Sequence, residues 1–264
     1  MTYVKNTCSL DCELYWGLPS NTKEEYKENI LNADKSLLNI INKAAEKKID
    51  NKIFLAFVIK TLDNSKAEVN FDRLRSYSYE TIKAAKLSNC KLGVHSYNHT
   101  LYKSMNNTEY ETELTKIKKF VNENKEFKNI FVFPKNQIHG SGVNELSQIF
   151  NNIRLNSKSW LYRSINARYT FSKRLLRYLD SFLPIYEIFC SKKPEVNLDN
   201  CIVGTHFYRA NLSGIFLKVH YIRLLLGCFL MRKMKKEMHL WSHPHNFNNK
   251  EKSIQYFIKV LERL

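Results

Sequence analysis

Short apolar runs alternate along this chain with longer stretches in which apolar residues recur every three or four positions. The run from Ile53 to Ile59 is continuously apolar, as expected for a strand that is buried on both faces of a sheet. Before it, apolar side chains between Ile30 and Ala45 recur at helical spacing and predict an amphipathic helix. Such alternation of strands and helices is typical of α/β proteins with a parallel sheet.

Similar pairs of elements continue to the C-terminus. Predicted helices at Glu80–Leu87, Thr108–Asn122 and Val143–Asn151 precede predicted strands at Lys91–Val94, Ile130–Phe133 and Ile153–Leu155. The remaining predictions are a helix at Phe171–Phe182, a loop at Ser191–Asn200, a strand at Cys201–Gly204, a helix at Gly214–Lys236, a strand at His239–His243 and a terminal helix capped by Asn248 or Asn249. A chain of 264 residues suffices for one α/β barrel or two small domains, and one barrel is the simpler prediction.

Two acidic residues stand at the end of the first predicted strand. Asp11 and Glu13 follow the β-forming run from Thr7 to Leu10, and strand alternation places their side chains on the same side. Two carboxylates at the end of an apolar strand are costly to bury unless a partner neutralises them. The pair therefore indicates a functional site, and a solvated pair of edge acids is the alternative.

His95 and His99 have the spacing that lets two imidazoles converge, in a helical turn or in a loop. With Glu13 they make an open three-ligand set for a divalent ion and leave a position for water or substrate. Asp11 then remains available to take a proton from water whose pKa the ion lowers to roughly 7. Zn²⁺ fits these ligands best, although cobalt, nickel, manganese and iron also bind such sets. The alternative is a pair of ordinary surface or core histidines.

A second histidine cluster lies near the C-terminus. Alternation puts His239, Trp241 and His243 on one side of the last predicted strand, which Pro244 ends because proline has no amide hydrogen to donate. His243 at the end of this strand is suited to protonate a leaving amine. The alternative is a packing motif with a hydrogen-bonded histidine.

Four segments together resemble successive signatures of the polysaccharide deacetylase family, in that family's order. They are Ser9–Gly17, Val94–His99, Phe131–Gln137 and His239–Phe247. The resemblance reaches from the first strand to the last. It implies a single domain over residues 1–264, a distorted (β/α) barrel of about seven strands, and metal-dependent removal of an acetyl group from an amino sugar.

The resemblance also implies a role for individual residues. Asp11 matches the catalytic base, Glu13, His95 and His99 match the metal ligands, and His243 matches the general acid. The best match is to a subgroup with an acid-x-acid first motif, in which Cys12 would face away. The substrate-binding residues implied by the matching segments are Trp16, Pro134, Lys135, Asn136, Arg163, Trp241 and His245.

Two of these positions need comment. Lys135 stands where the subgroup has arginine, which keeps the charge but loses the planar fork that can orient a carboxylate. Arg163 is expected to contact substrate or to order the catalytic acids, and an ordinary exposed arginine is the alternative.

The formal net charge of +17 predicts attraction to an anionic partner, such as an acidic glycan, a phosphate- or nucleotide-linked sugar, or a membrane surface. Nucleic acid is not expected, because most aromatic residues fall in apolar runs and no nucleic-acid-binding motif is present in the sequence.

The Gly214–Lys236 helix approaches membrane-spanning length, but Lys218 and Arg223 interrupt it. We therefore expect it to pack on the barrel, with peripheral membrane contact through its basic end as the alternative.

Six dispersed cysteines without paired spacing read as buried thiols, and with no leader before the first strand they predict a cytoplasmic protein. As an alternative, Cys8 and Cys12 could serve as extra metal ligands.

The predicted function is hydrolysis of the acetyl group from an N-acetylated sugar, in the biosynthesis of a cell-surface polysaccharide. The alternatives are a related hydrolase of another C–N or ester bond, or a catalytically silent glycan- or phosphate-binding protein.

Overall fold

The structure is a computed structural model that describes residues 6–17, 26–62, 74–136, 142–156, 171–189 and 200–264. Arg163 and all but the last residue of the predicted Ser191–Asn200 loop lie outside these ranges.

Eight strands form one sheet in which every hydrogen-bonded pair is parallel. The strands are β1 (Thr7–Cys12), β2 (Ile53–Phe57), β3 (Lys91–Val94), β4 (Phe131–Val132), β5 (Ile153–Asn156), β6 (Cys201–Gly204), β7 (His206–Phe207) and β8 (His239–Ser242). Their order is β6-β5-β4-β3-β2-β1-β8-β7. The continuous apolar run predicted as a buried strand is β2, which lies between β1 and β3.

The two ends of this sheet order are adjacent in the chain. β6 pairs with β5 and β7 pairs with β8, yet only Thr205 separates β6 from β7. The Thr205 amide donates to the carbonyl of His239, which begins the turn of the chain toward β8. The sheet therefore closes nearly into a barrel, which confirms the predicted α/β barrel. It has eight strands rather than about seven, because residues 201–207 divide into two short strands. Of these, β6 pairs with β5 and β7 pairs with β8.

The barrel has a polar side and an apolar side within its interior. Residues paired across parallel strands share a face of the sheet. The pairings place on one face the residues Thr7, Ser9, Asp11, Phe54, Ala56, Val132, Arg154, Ile202, His239 and Trp241. Phe54, Ala56 and Val132 form a small apolar cluster there, and the polar members of the face lie on β1, β5 and β8.

The larger apolar core lies between the outer face of the barrel and the helices. The helices are α1 (Lys27–Leu31), α2 (Ala33–Glu46), α3 (Tyr79–Leu87), α4 (Asn107–Glu123), α5 (Gly142–Ser147), α6 (Phe171–Leu179), α7 (Ile185–Phe189), α8 (Gly214–Lys233), α9 (Pro244–Phe247) and α10 (Glu251–Arg263). Cys8, Leu10 and Cys12 alternate with the inward-facing residues of β1 and belong to this core.

Several helix ends differ from the prediction. Asn248 and Asn249 do not cap α10, because both adopt left-handed backbone conformations between α9 and α10, with φ of 45° and 51°. Lys250 stands at the N-cap position without a side-chain hydrogen bond. Asn32 divides the first predicted helix into α1 and α2, and its side-chain Nδ2 donates to Oδ1 of Asn248 at 2.8 Å.

The α8 helix packs on the barrel, as predicted. Among the described residues it is the helix whose length and apolar composition would allow it to cross a membrane, but 39% of its apolar window is buried in the fold. Arg223, which interrupts its apolar sequence, is buried in ion pairs with Asp180 and Glu187. The opposite face of α8 is exposed and apolar, and comprises Ile215, Phe216, Val219, Ile222, Leu226 and Phe229.

Candidate metal centre

The carboxyl ends of three parallel strands bring the candidate chemistry together. Glu13 follows β1 directly, His95 follows β3, and His243 follows β8. Carboxyl ends of parallel strands meet at one rim of a barrel, which is where such folds place functional groups. His99 joins them from the loop after β3.

The His95–His99 segment is a loop rather than a helical turn. Ser96 and His99 have positive φ values of 69° and 62°, and the His99 amide donates to the Ser96 hydroxyl at 2.7 Å. The His95 amide donates to the Phe57 carbonyl, which ties this loop to the end of β2. The loop brings the two imidazole ring centres to 5.0 Å from each other. The convergence expected from the spacing therefore comes from a loop and not from a helical turn.

Glu13 lies between the two imidazoles. Its Oε2 is 3.3 Å from Nε2 of His95 and 3.0 Å from Nε2 of His99, and all three residues are buried. Burial acts to raise the pKa of Glu13, but the imidazoles of His243 and His99 hold the pKa well below its ordinary value. The group is therefore a buried carboxylate facing nitrogen atoms.

The hydrogen bonding of His95 indicates a cation at this position. Its Nδ1 lies 2.8 Å from the Val132 carbonyl, which can only accept, so Nδ1 carries the proton. In the neutral ring the Nε2 lone pair then faces the negative Oε2 of Glu13, and only a proton or a metal ion between them relieves the repulsion. A backbone carbonyl that fixes the second ring nitrogen is the usual support of a metal-binding histidine. The donor set Glu13, His95 and His99 thus fits a divalent metal.

Asp11 is held apart from these three residues by Arg154. The guanidinium donates to Asp11 Oδ1 at 2.5 Å and Oδ2 at 2.7 Å, and also donates to the Ser9 hydroxyl at 2.8 Å. Burial acts to raise the pKa of Asp11, yet the charge of Arg154, aided by His95, brings it below the ordinary value. Asp11 is therefore a carboxylate with a fixed orientation.

Arg154 was missed as a site residue in the sequence. It lies on β5, in a predicted strand to which no function was attached, and its side chain is almost fully buried. The available signal was a single charge inside the apolar run Ile153–Leu155, since an arginine is rarely buried without a partner. The planar guanidinium of Arg154 orients the Asp11 carboxylate through two hydrogen bonds. Lys135 has no such planar group.

His243 faces both carboxylates from the end of β8, the strand next to β1. Its Nε2 is 3.4 Å from Glu13 Oε1 and 3.9 Å from Asp11 Oδ2, and its side chain is 19% exposed, so a ligand from solvent can reach it. The rings of Trp241 and Phe207 pack against it. This placement suits exchange of a proton with a bound molecule.

His245 lies behind His243 and is buried. The two rings stack with centres 5.1 Å apart. Burial, aided by the charge of His243, lowers the pKa of His245 to about 4, so its imidazole is neutral near pH 7. Its Nδ1 has no hydrogen-bond partner among the described residues.

His239, the other histidine of this strand, has a different environment. Its ring nitrogens lie 2.8 Å from the Thr7 hydroxyl and 2.9 Å from the Ser9 hydroxyl. It therefore ties β8 to β1 inside the barrel, which is the packing alternative considered for this cluster.

The other predicted substrate-binding residues occupy varied positions. Trp241 is half-buried, with the Arg154 guanidinium carbon 5.0 Å from its ring centre, and Asn136 Oδ1 lies 3.4 Å from Arg154 Nη2. Pro134 is buried in a turn whose next residue, Lys135, is exposed and has a φ of 49°. Trp16 is partly buried, and its indole donates to the Arg75 carbonyl at 3.1 Å. Trp241 and Asn136 thus contact Arg154, and Arg154 in turn pairs with the Asp11 carboxylate.

Cys8 and Cys12 are not among the metal-ligating groups that the described residues form. Both side chains are buried in the core outside the barrel, and burial raises the pKa of each thiol well above its ordinary value. The alternative that they add metal ligands is therefore wrong, and Cys12 faces away as expected. The five cysteines within the described ranges are all unpaired thiols.

Comparison with known proteins relates this architecture to two solved structures. No protein-family model matches the chain, and no curated protein matches it in sequence. A mutant CE4 family pseudoenzyme with restored enzymatic activity is 14% identical with a TM-score of 0.47, over 97% of this chain and 62% of that one. The chain thus spans less than two thirds of that protein.

The second solved structure is a Mycobacterium smegmatis protein assigned as a polysaccharide deacetylase. It is 10% identical with a TM-score of 0.56, over 99% of this chain and 86% of the other. This likeness shows a shared fold. It confirms at that level the resemblance to polysaccharide deacetylases that the sequence motifs indicated.

Proposed function

We propose that the chain is a metal-dependent hydrolase of the polysaccharide deacetylase family that removes the acetyl group from an N-acetylated sugar. The observation that carries the proposal is the division between two buried carboxylates. Glu13 faces His95 and His99, whereas Arg154 holds Asp11 apart from them. A hydrolase that activates water with a metal ion and a general base needs a metal ligand set and a separate base beside it.

The proposed ligands are Glu13, His95 and His99, with Zn²⁺ as the preferred ion. A divalent ion bound by this set supplies Lewis-acid polarisation of a carbonyl and lowers the pKa of water to roughly 7. The rest of the chemistry belongs to side chains of the chain itself.

Asp11 is the proposed base. Its carboxylate accepts a proton from the attacking water, and Arg154 keeps it charged and oriented while it does so. Removal of this proton generates the nucleophile that adds to the acetyl carbon.

His243 is the proposed acid. Its Nε2 lies 3.4 Å from Glu13 and 3.9 Å from Asp11 on a side chain that is 19% exposed, and from there it can donate a proton to the departing nitrogen as the C–N bond breaks. The products are acetate and a free amino sugar. The half-buried ring of Trp241 beside His243 and Arg154 offers a flat apolar surface against which a sugar can pack.

The proposed substrate is anionic or carries a phosphate- or nucleotide-linked group. The support is the net charge of +17, which attracts such molecules and repels cationic ones. A role in cell-surface polysaccharide biosynthesis would supply a substrate of this class.

The proposed location is the cytoplasm, with peripheral contact to the inner face of the membrane through α8. The exposed apolar face of this helix is flanked by the exposed cations Lys218, Arg232, Lys233 and Lys235. Apolar residues bordered by positive charge complement an anionic lipid surface.

Elemental analysis of the purified protein combined with a screen for acetate release tests the function. We expect one divalent ion per chain and acetate release from at least one N-acetylated sugar or its nucleotide conjugate. Release of ammonia or an alcohol from other substrates, without acetate, would favour the related hydrolase. A metal-free protein that binds glycans and releases nothing would favour the silent binding protein.

A further inference from the structure

The two oxygens of Glu13 face two different pairs of histidines. Oε2 contacts His95 and His99, whereas Oε1 lies 3.4 Å from Nε2 of His243. One potential ligand atom each from Glu13, His243 and His245 lies within 4.8 Å of the others, as is also true of Glu13, His95 and His99. The carboxylate is therefore shared between two three-ligand sets.

Two of the separations around Glu13 match those expected between ligands of one ion, whereas Nε2 of His99 lies closer to Oε2, at 3.0 Å. Two ligands at the ~2.1 Å bond lengths of zinc sites lie about 3.4 Å apart across a tetrahedral edge. The distance from His243 to Glu13 Oε1 is 3.4 Å and that from His95 to Oε2 is 3.3 Å. Both exceed the usual hydrogen-bond range of about 2.7–3.2 Å.

His245 provides an independent indication of a missing partner. Its side chain is 6% exposed, and its buried Nδ1 has no hydrogen-bond partner among the described residues. Buried polar atoms are nearly always paired, so this unpaired nitrogen, in an imidazole that stacks on His243 and belongs to the second three-ligand set, indicates an absent partner. Imidazole and carboxylate ligands suit zinc and similar transition-metal ions.

We propose that Glu13, His243 and His245 form a second transition-metal position, bridged to the first through the two oxygens of Glu13. The second ion binds more weakly than the first, because the charge of Glu13 is then shared between two cations and Arg154 already neutralises Asp11. Zn²⁺ is the ion class expected there.

Occupation of the second position inhibits the enzyme. An ion on His243 takes the nitrogen that would otherwise donate the proton to the leaving amine. This consequence rests on the proposed function, whereas the binding itself does not. Zinc is thus expected to activate the metal-free protein at one equivalent and to inhibit it in excess.

Calorimetric titration of the metal-free full chain with Zn²⁺ tests the site. We expect two binding events in the parent, with the second weaker by about tenfold or more, and loss of only the second in His245→Gln and His245→Leu. Circular dichroism of both variants identifies any that fails to fold. The complementary His99→Ala variant should weaken the first event.

The two ideas fail in distinguishable ways. A single event in the parent, or two unchanged events in a folded His245 variant, overturns the second site even if the protein is an active deacetylase. Two events in a protein that releases no acetate overturn the proposed function and leave the site intact. In the parent, excess zinc should lower the rate of acetate release at least about tenfold below the rate at one equivalent. In each His245 variant, the rate in excess zinc should equal that variant's own rate at one equivalent.

Discussion

Asp11 owes its proposed role to its neighbours more than to its own chemistry. Burial without a partner would favour the protonated acid, which could not act as a base. The bidentate pair with Arg154 reverses this and leaves both oxygens fixed. Glu13, two residues along, has no guanidinium partner among the described residues and faces imidazoles instead. Two neighbouring carboxylates thus acquire different tasks.

Replacement of Arg154 by lysine tests this pairing. Loss of the planar fork should weaken the stabilisation of the Asp11 anion and raise its pKa, so the acidic limb of the pH profile of kcat/KM should move to higher pH. We also expect a fall in kcat of about tenfold, because the base is less well oriented. The matched control is Lys135→Ala, which removes an exposed cation near the site.

An unchanged acidic limb in Arg154→Lys would show that Arg154 does not set the protonation of the base. A shift in Lys135→Ala of the same size would attribute the effect to general charge rather than to the bidentate pair.

A second buried ion-pair cluster supports stability rather than the site. Glu187 accepts from Arg223 at 2.7 Å through both oxygens and lies 2.9 Å from Nε2 of His206. Although burial acts to raise it, His206 and Arg223 lower the pKa of Glu187 to about 2. A depressed carboxyl pKa stabilises the fold above the ordinary pKa of 4.5, and this contribution is lost as the pH falls toward 2.

Glu187→Gln should therefore lower the free energy of unfolding at pH 7 by about 3 kcal/mol. Between pH 5 and pH 3 its Tm should decline less than that of the parent, because it has lost one of the groups that must be protonated. Thermal unfolding followed by circular dichroism measures both effects. Parallel declines of Tm in the two proteins would contradict the assignment.

At the scale of elements, the short 3-10 helix Leu14–Gly17, which directly follows Glu13, confines the Glu13 side chain. A Cβ atom on Gly17 would overlap the Glu13 carboxyl group, so only glycine leaves room for that side chain. The chain thus folds back onto the Glu13 side chain within four residues. The same segment carries Trp16, whose indole is tied to the Arg75 carbonyl.

Gly17→Ala should displace the Glu13 carboxylate and weaken zinc binding by about 10–100-fold, as measured with a competing chelator. Gly204→Ala is the control, because its added Cβ would make only ordinary van der Waals contacts, none shorter than 3.5 Å. Unaltered affinity in Gly17→Ala would mean that Glu13 is not a ligand or that it relocates without loss.

The sequence predicted the features that depend on local pattern. The apolar run of β2 and the spacing of His95 and His99 are local, and the structure contains that strand and brings the two imidazoles together. Arg154 and Asp11 are separated by more than 140 positions, and nothing in the spacing within either segment indicates the pair. The split of residues 201–207 between β6 and β7 likewise depends on barrel closure.

At the scale of the whole molecule, charge and apolar exposure coincide on α8. The helix buries Arg223 inward and presents Phe216 and Phe229 outward, with basic residues beside them. In this packing, 39% of the apolar window of α8 is buried against the rest of the fold. This arrangement suits contact with a lipid surface from one side.

The double substitution Phe216→Ser with Phe229→Ser should reduce co-sedimentation with vesicles containing anionic phospholipid by about tenfold or more. Leu87→Ser, which changes an even more exposed apolar residue on α3, should leave it unaltered. Binding by the parent should fall with added salt and be weak on neutral vesicles. Lipid-independent dimers that the double substitution abolishes would assign this face to a second copy of the chain instead.

The most direct test of the central claim compares Asp11→Asn with Glu13→Gln, using zinc affinity and acetate release on the same preparations. The account predicts that Asp11→Asn keeps the affinity of the first zinc ion while losing acetate release by about 10²–10⁴-fold, whereas Glu13→Gln loses the affinity itself. Equal loss of zinc affinity in both variants, or full acetate release by Asp11→Asn, would contradict the separation of base from metal ligand.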